Sequence, residues 1–256
     1  MTHEPSSFYD HLAGDYHLIF ADWECAIAWQ ADVIDRLIRT ELGDRSLSIL
    51  DCACGIGTQA IGLAQRGHRV HATDISATSV DRARQEARRL GASLTFGVAD
   101  LRTLATQVDD TFDVVLAFDN ALPHLLTEDD VGRAVAGMTS RLRPGGLFLA
   151  SIRDYDRILA ERPTGDPPRA FDDETGRRIV FQLWDWAADG LNYDLHLFIL
   201  SRVDDRWDTR EYTARYRALR RDELTAVLGR RGLTDVRWLM PDESGYYQPV
   251  VGAHKP

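Results

Sequence analysis

The stretch ILDCACGIGTQAIGLA, Ile49 to Ala64, constrains the fold more than any other part of the chain. An apolar run reaches Asp51, a loop of small residues and glycines follows, and helix formers begin at Gln59. Gly55-Ile56-Gly57-Thr58-Gln59-Ala60 fits Gly-x-Gly-x-x-Gly/Ala, the turn that lets backbone approach a nucleotide between a strand and a helix. The chain continues in that style. Candidate strands are Ser48–Cys52, Arg69–Asp74, Leu94–Val98, Asp113–Phe118 and Leu147–Ile152, with candidate helices at Gln59–Gln65, Ser79–Leu90 and Asp129–Arg141. The strands are short, apolar and mostly unalternating, as strands buried on both faces are. Strand–helix repetition of this kind specifies an α/β fold with a doubly wound, mostly parallel sheet.

The flanks read differently. Trp23, Ile27, Ala31, Ile34, Leu37 and Ile38 recur at helical spacing and form one apolar face. Ahead of them lies an aromatic cluster, Phe8, Tyr9, Tyr16, His17, Phe20 and Trp23, read either as a hydrophobic cap or as a lid over a ligand. Arg143-Pro144-Gly145-Gly146 is expected to break the chain before the fifth strand, and residues 161–176, ERPTGDPPRAFDDETG, to be loop. Residues 178–203 read as two alternating strands around Asp189-Gly190, and a further strand runs through Trp207–Tyr216. A helix at Arg221–Arg231 precedes two last strands, Asp235–Leu239 and Gln248–Ala253, which complete seven in the main sheet. The expected organisation is an N-terminal helical cap (1–43), an α/β core (44–164 and 218–256) and an antiparallel insertion (165–217) covering the site.

Asp51 discriminates among nucleotides. A dinucleotide sets its pyrophosphate on such a loop, and a carboxylate at ~4 Å would oppose it by on the order of 4 kcal/mol. S-adenosylmethionine has no phosphate and carries an ammonium and a sulfonium, so the same carboxylate attracts it. Asp51 also reads as a brace for loop amides; the two roles are compatible. Asp74, closing the second strand, stands where an acid holds ribose hydroxyls.

Asp51-Cys52-Ala53-Cys54-Gly55-Ile56-Gly57, with Asp74 and with Ala99-Asp100-Leu101 after the third strand, resembles class I S-adenosylmethionine-dependent methyltransferases. The resemblance implies that Gly55 and Gly57 approach the methionine part, Asp74 takes the ribose hydroxyls, Asp100 reaches the adenine amine with the Leu101 amide, and Ile75 packs on the adenine. Tyr9 and Phe118 join this cofactor set. Phe118-Asp119-Asn120-Ala121-Leu122-Pro123-His124, Ser151-Ile152-Arg153-Asp154-Tyr155-Asp156 and the N-terminal Tyr9-Asp10-His11-Leu12 look like the glycine and sarcosine N-methyltransferase group. That likeness puts Asn120 at the substrate amine, His124 near the cofactor and Arg153 on a substrate carboxylate, where a guanidinium fork pairs both oxygens. Each has a plainer reading: Asn120 bonding its own loop, His124 a satisfied loop histidine, Arg153 paired with Asp154 or Asp156. Tyr16, Tyr193 and Tyr247 are candidates for the substrate pocket, as are Trp184, Trp186 and Tyr246, some of them core.

With 44% hydrophobic residues the 256-residue chain can bury a sizeable core. A net charge of −10 disfavours nucleic acid or an anionic membrane as partner. Only Lys255 among the basic residues is lysine, and the arginines are scattered among acids. Cys25, Cys52 and Cys54 make no disulfide or zinc pattern, and there is no basic-then-apolar leader. The expectation is a cytoplasmic enzyme, monomer or homodimer, without metal. It would move the methyl group of S-adenosylmethionine to a nitrogen of a small amine, with S-adenosylhomocysteine as product. Rival readings are an O- or imidazole-N-methyltransferase of a specialised metabolite, a non-catalytic S-adenosylmethionine-binding regulator, and a nicotinamide-dependent oxidoreductase.

Overall fold

A computed structural model describes residues 5–173 and 176–256. Seven strands form the main sheet: β1 (Ser48–Asp51), β2 (Arg69–Asp74), β3 (Thr95–Val98), β4 (Phe112–Ala117), β5 (Leu142–Ser151), β10 (Thr234–Leu239) and β11 (Val250–His254). Their order is β10-β11-β5-β4-β1-β2-β3. Strands β1 to β5 pair in parallel, and β11 runs antiparallel to both neighbours. All four residues of β1 are buried, as a strand covered by helices on both faces requires. Chain order reverses between β1 and β4, so the loops after these strands flank the switch point where open α/β sheets bind ligands.

The helices start where their caps dictate. Asp22 accepts from the Cys25 amide to open α2 (Trp23–Leu42), after α1 (Pro5–Leu12). Ser76 does the same for α4 (Ala77–Arg89), and Thr127 for α6 (Glu128–Arg141), whose first turn carries Glu128, Asp129 and Asp130. The glycine loop opens α3 (Thr58–Gln65), which packs on α2. The contact is close at Gly62, where a Cβ would stand 2.5 Å from Ala31 Cβ and 2.7 Å from the Ile27 carbonyl oxygen. Shorter helices α5 (Leu104–Gln107), α7 (Tyr155–Glu161) and α9 (Pro241–Ser244) and the longer α8 (Arg221–Arg230) complete the set.

A second, antiparallel sheet of four strands is inserted between α7 and α8: β6 (Gly165–Asp173), β7 (Gly176–Trp186), β8 (Asn192–Val203) and β9 (Arg206–Arg217). In β8, Tyr193, Leu195, Leu197 and Ile199 alternate inward and join the same core as Phe148 of β5 and Met138 of α6.

Two expectations need correction. Arg143–Gly146 does not interrupt the chain ahead of the fifth strand; it lies inside β5, where the β4 register shifts between Phe112 and Val114. Residues 165–173, expected as loop, form strand β6. Pro167 and Pro168 are tolerated because β6 is an edge strand and its register with β7 shifts between Asp166 and Arg169, so no ladder N–H is missed there. Glu174 and Thr175 of that stretch lie outside the described residues.

Candidate active site

Two cavities meet at the carboxyl ends of β1 and β4. The first, about 320 Å³, is lined by Tyr9, Tyr16, Gly55, Asp74, Ile75, Asp100, Leu101, Phe118, Asp119 and His124 among others. The glycine loop forms one wall because Gly55 and Gly57 hold left-handed backbone, with φ of 52° and 97°. Asp74 is fixed before any ligand arrives: Oδ2 accepts the Gly55 amide at 2.8 Å and Oδ1 the Ser76 amide at 2.9 Å. Burial raises its pKa to about 6 against those bonds. Asp100 accepts from the Arg102 amide and guanidinium, with the guanidinium contact at 2.6 Å.

Asp51 does not line the cavity surface and is fully buried. Its Oδ1 accepts the Ala53 amide at 3.3 Å, the brace role, while Oδ2 is buried with no partner. Burial, with Asp74 and Asp119 nearby, lifts its pKa to about 8. An orphaned carboxyl oxygen behind the glycine loop, beside a cavity lined by Asp74, Asp100, Asp119 and Asp130, suits a cationic ligand and opposes a pyrophosphate. The residues present therefore fit S-adenosylmethionine.

The second cavity, about 1140 Å³, lies between the N-terminal segment, the loops after β4 and β5, and the inner face of the inserted sheet. Tyr9, Tyr16, Asp119, Asn120, Arg153, Gln182, Trp184, Tyr216 and Tyr247 are part of its lining. Arg153 is held by the Tyr193 hydroxyl at 3.0 Å and Gln182 Oε1 at 2.9 Å, and its guanidinium lies 4.8 Å from the Trp184 ring. Asp154 and Asp156 pair with Arg221 instead, so the surface-pair alternative for Arg153 does not hold. Among the described residues no carboxylate is in ion-pair contact with Arg153.

Several expected residues take other positions. Tyr193 is fully buried and lines neither cavity; it reaches the site through Arg153, through Tyr155, whose hydroxyl is 2.9 Å away, and through its ring's contacts with Trp184 and Tyr216. Tyr246 is likewise core. The Asn120 amide joins the two loops, its Oδ1 accepting the Arg153 amide at 3.0 Å and its Nδ2 donating to Tyr155 Oη at 3.0 Å. His124 lines the first cavity only, with burial and then Arg153 lowering its pKa to about 3. Sequence reasoning missed Asp119. It accepts from Tyr246, from Tyr247 at 2.5 Å and from Gln59 at 2.7 Å, joining three distant segments at one carboxylate.

Residues 49–146 match the family described as Methyltransferase domain. The fold agrees: an S-adenosylmethionine-dependent methyltransferase from Clostridium acetobutylicum superposes with a TM-score of 0.74 at 18% identity, covering 96% of this chain and 98% of that one. Residues 49–146 thus match a methyltransferase domain, and the chain has the fold of S-adenosylmethionine-dependent methyltransferases of known structure. More narrowly, it resembles the glycine/sarcosine N-methyltransferase of Parasynechococcus marenigrum, being 34% identical over 157 residues, 59% of this chain and 55% of that protein. A tRNA 5-carboxymethoxyuridine methyltransferase of Escherichia coli is 35% identical over 136 residues, 52% of this chain and 49% of that protein. The chain spans a little over half the length of the first curated relatives it matches. The shared domain therefore does not by itself separate small-molecule from RNA acceptors. Among the described residues no helix is long and apolar enough to cross a membrane.

Proposed function

We propose that this chain transfers the methyl group of S-adenosylmethionine to a nitrogen of a small molecule, an amino acid or related amine of the glycine and sarcosine kind. The observation that carries this is Arg153: a half-buried guanidinium with no carboxylate partner, its fork oriented by Tyr193 and Gln182, on the wall of the second cavity, which shares Tyr9, Tyr16 and Asp119 with the cavity at the glycine loop. A guanidinium so placed gains a ligand carboxylate as its missing counter-ion.

The chain's own residues would bind and align. Asp74 and Asp100 would hold the nucleoside, Asp51 and the Gly55–Gly57 loop the cationic end. When bound, the cofactor supplies an activated methyl group. Alignment and exclusion of water fall to the protein. Asn120 fixes the backbone of Arg153, and Tyr9 and Tyr16 wall off the junction from solvent. His124, neutral and bonded to Tyr9, shapes the cofactor cavity.

The volume of the second cavity favours one further reading. About 1140 Å³ is far more than an amino acid of glycine's size occupies, and exceeds the usual volume of a pocket for a drug-sized ligand. An amine on a larger, specialised metabolite fits that space with the same Arg153 anchor.

Labelled S-adenosylmethionine offered with glycine, sarcosine, dimethylglycine, larger amines, and hydroxyl and imidazole controls tests both. Label on glycine or sarcosine supports the first reading, and label only on larger amines the second. Transfer to hydroxyl or imidazole alone refutes amine methylation.

A further inference from the structure

Tyr9, Tyr16 and Asp119 line both cavities, so they form the passage through which a methyl group would cross. Asp119 is the only carboxylate of the three. Its oxygens accept from Tyr246 and Tyr247 on one side and from Gln59, with Gln30 at 3.5 Å, on the other. All four donors are neutral. Among the described residues no Arg, Lys or His is in ion-pair contact with Asp119. Neutral donors aim a carboxylate without cancelling its charge, and a partly buried charge left without a counter-ion is costly.

The backbone is also unusual there. Asp119 and Asn120 both take left-handed conformations, with φ of 55° and 67°. Two consecutive non-glycine residues in that region are strained, and such strain gathers at functional positions. The Asp119 amide is held by Ser151 Oγ at 2.8 Å and the Asn120 amide by the Ser151 carbonyl at 3.2 Å, so the turn is locked to β5. Trp29 and Tyr246 stack with ring centroids 5.7 Å apart, with Tyr247 beside them. This backs the carboxylate with aromatic surface of the kind that accompanies cations.

We propose that Asp119 is the counter-ion of the acceptor's nitrogen, holding the protonated amine in the passage between the two cavities. The assignment rests on the methyltransferase reading and narrows it: the acceptor enters as a cation at Asp119 and, where it carries an acid, as a dipolar molecule reaching Arg153. The amine must become neutral before it forms a bond to carbon. One N–H bond breaks, its proton forms an O–H bond on Asp119, and the electron pair stays on nitrogen.

The test uses sinefungin, the analogue in which an amine-bearing carbon replaces the methyl-bearing sulfur, and S-adenosylhomocysteine, which has neither that amine nor the methyl group. Calorimetry on the full chain should show sinefungin bound tighter by on the order of tenfold or more, with the preference largely lost in Asp119→Asn. Tyr247→Phe, which keeps the carboxylate, should retain it. A wild-type protein with no preference overturns the proposal whether or not Asp119→Asn folds. So does an Asp119→Asn that weakens both ligands equally, since Asp119 would then serve the amino-acid ammonium common to both. Wild-type binding of neither ligand would instead sink the cofactor reading, and this assignment with it. With an acceptor found by the labelling panel, Asp119→Asn should raise KM and move the pH–rate profile toward the amine's own titration. An unmoved profile would remove the proton step.

Discussion

Tyr9 Oη lies 2.8 Å from Nε2 of His124, and this bond fastens α1 to the loop after β4. The imidazole also packs on Tyr216, with ring centroids 4.0 Å apart, while Nδ1 is buried without a partner. With its pKa lowered to about 3, His124 stays neutral across the working range of most enzymes. The pH–rate profile of His124→Asn should therefore run parallel to that of the wild type at a lower level. A wild-type limb near about 6.5, the ordinary histidine value, that vanishes in the variant would show His124 to be the titrating base. Tyr9→Phe leaves Nε2 unpaired and should cost about 1 kcal/mol in urea unfolding.

Arg153→Lys should raise KM for a carboxylate-bearing amine by on the order of tenfold or more, because an ammonium cannot reproduce the fork held by Tyr193 and Gln182. The same acceptor as its amide should lose much less. Steady-state kinetics on the matched pair checks this. Equal losses on both would place the carboxylate elsewhere.

Asp51 makes cofactor binding a proton-linked event. Its folded pKa, about 8, lies above the ordinary carboxylate range because of burial, so the native state keeps a proton that the unfolded chain releases. That contribution to stability is complete below the ordinary carboxylate range and is lost as pH rises toward about 8. Asp51→Asn should flatten this decline in the ligand-free protein. A cationic ligand favours the ionised form, so binding at neutral pH should expel a proton. Calorimetry in buffers of different ionisation enthalpy reads the release, which should shrink in Asp51→Asn; what remains comes from Asp74, raised to about 6. No buffer dependence in the wild type would mean that Asp51 stays protonated beneath the ligand.

Gly62→Ala should lower the melting temperature although alanine is the better helix former. The new Cβ would collide with Ala31 and the Ile27 carbonyl across the α2–α3 contact, and overpacking of this kind costs roughly 1–3 kcal/mol. Gly229, where a Cβ would meet nothing within 4 Å, is the control: Gly229→Ala should be neutral or slightly stabilising.

The parallel strands and their helices were legible because each carries its own signal, an apolar run or a 3.6-residue stripe. Asp189-Gly190 likewise placed the β7–β8 hairpin. Strand β6 was not, since Pro167 and Pro168 read as loop until the neighbour that makes them an edge is known. The glycine loop, Asp74 and Asp100 could be found because their spacing is local. Asp119 was passed over for the adjoining Asn120, because its importance depends on Gln30, Gln59, Tyr246 and Tyr247, which come together only in the fold. The available hint was a polar pair directly after β4, at a strand end in the middle of the sheet. Tyr193, read as a pocket candidate, turns inward on β8 to bond Arg153, and a strand's alternation does not distinguish facing a ligand from facing Arg153.

Tyr9 and Tyr16 belong to two compartments at once. A wall common to two chambers ties their shapes together: a movement of either ring that enlarges one chamber alters the other. The short N-terminal segment that carries both tyrosines is therefore a boundary that neither chamber has to itself.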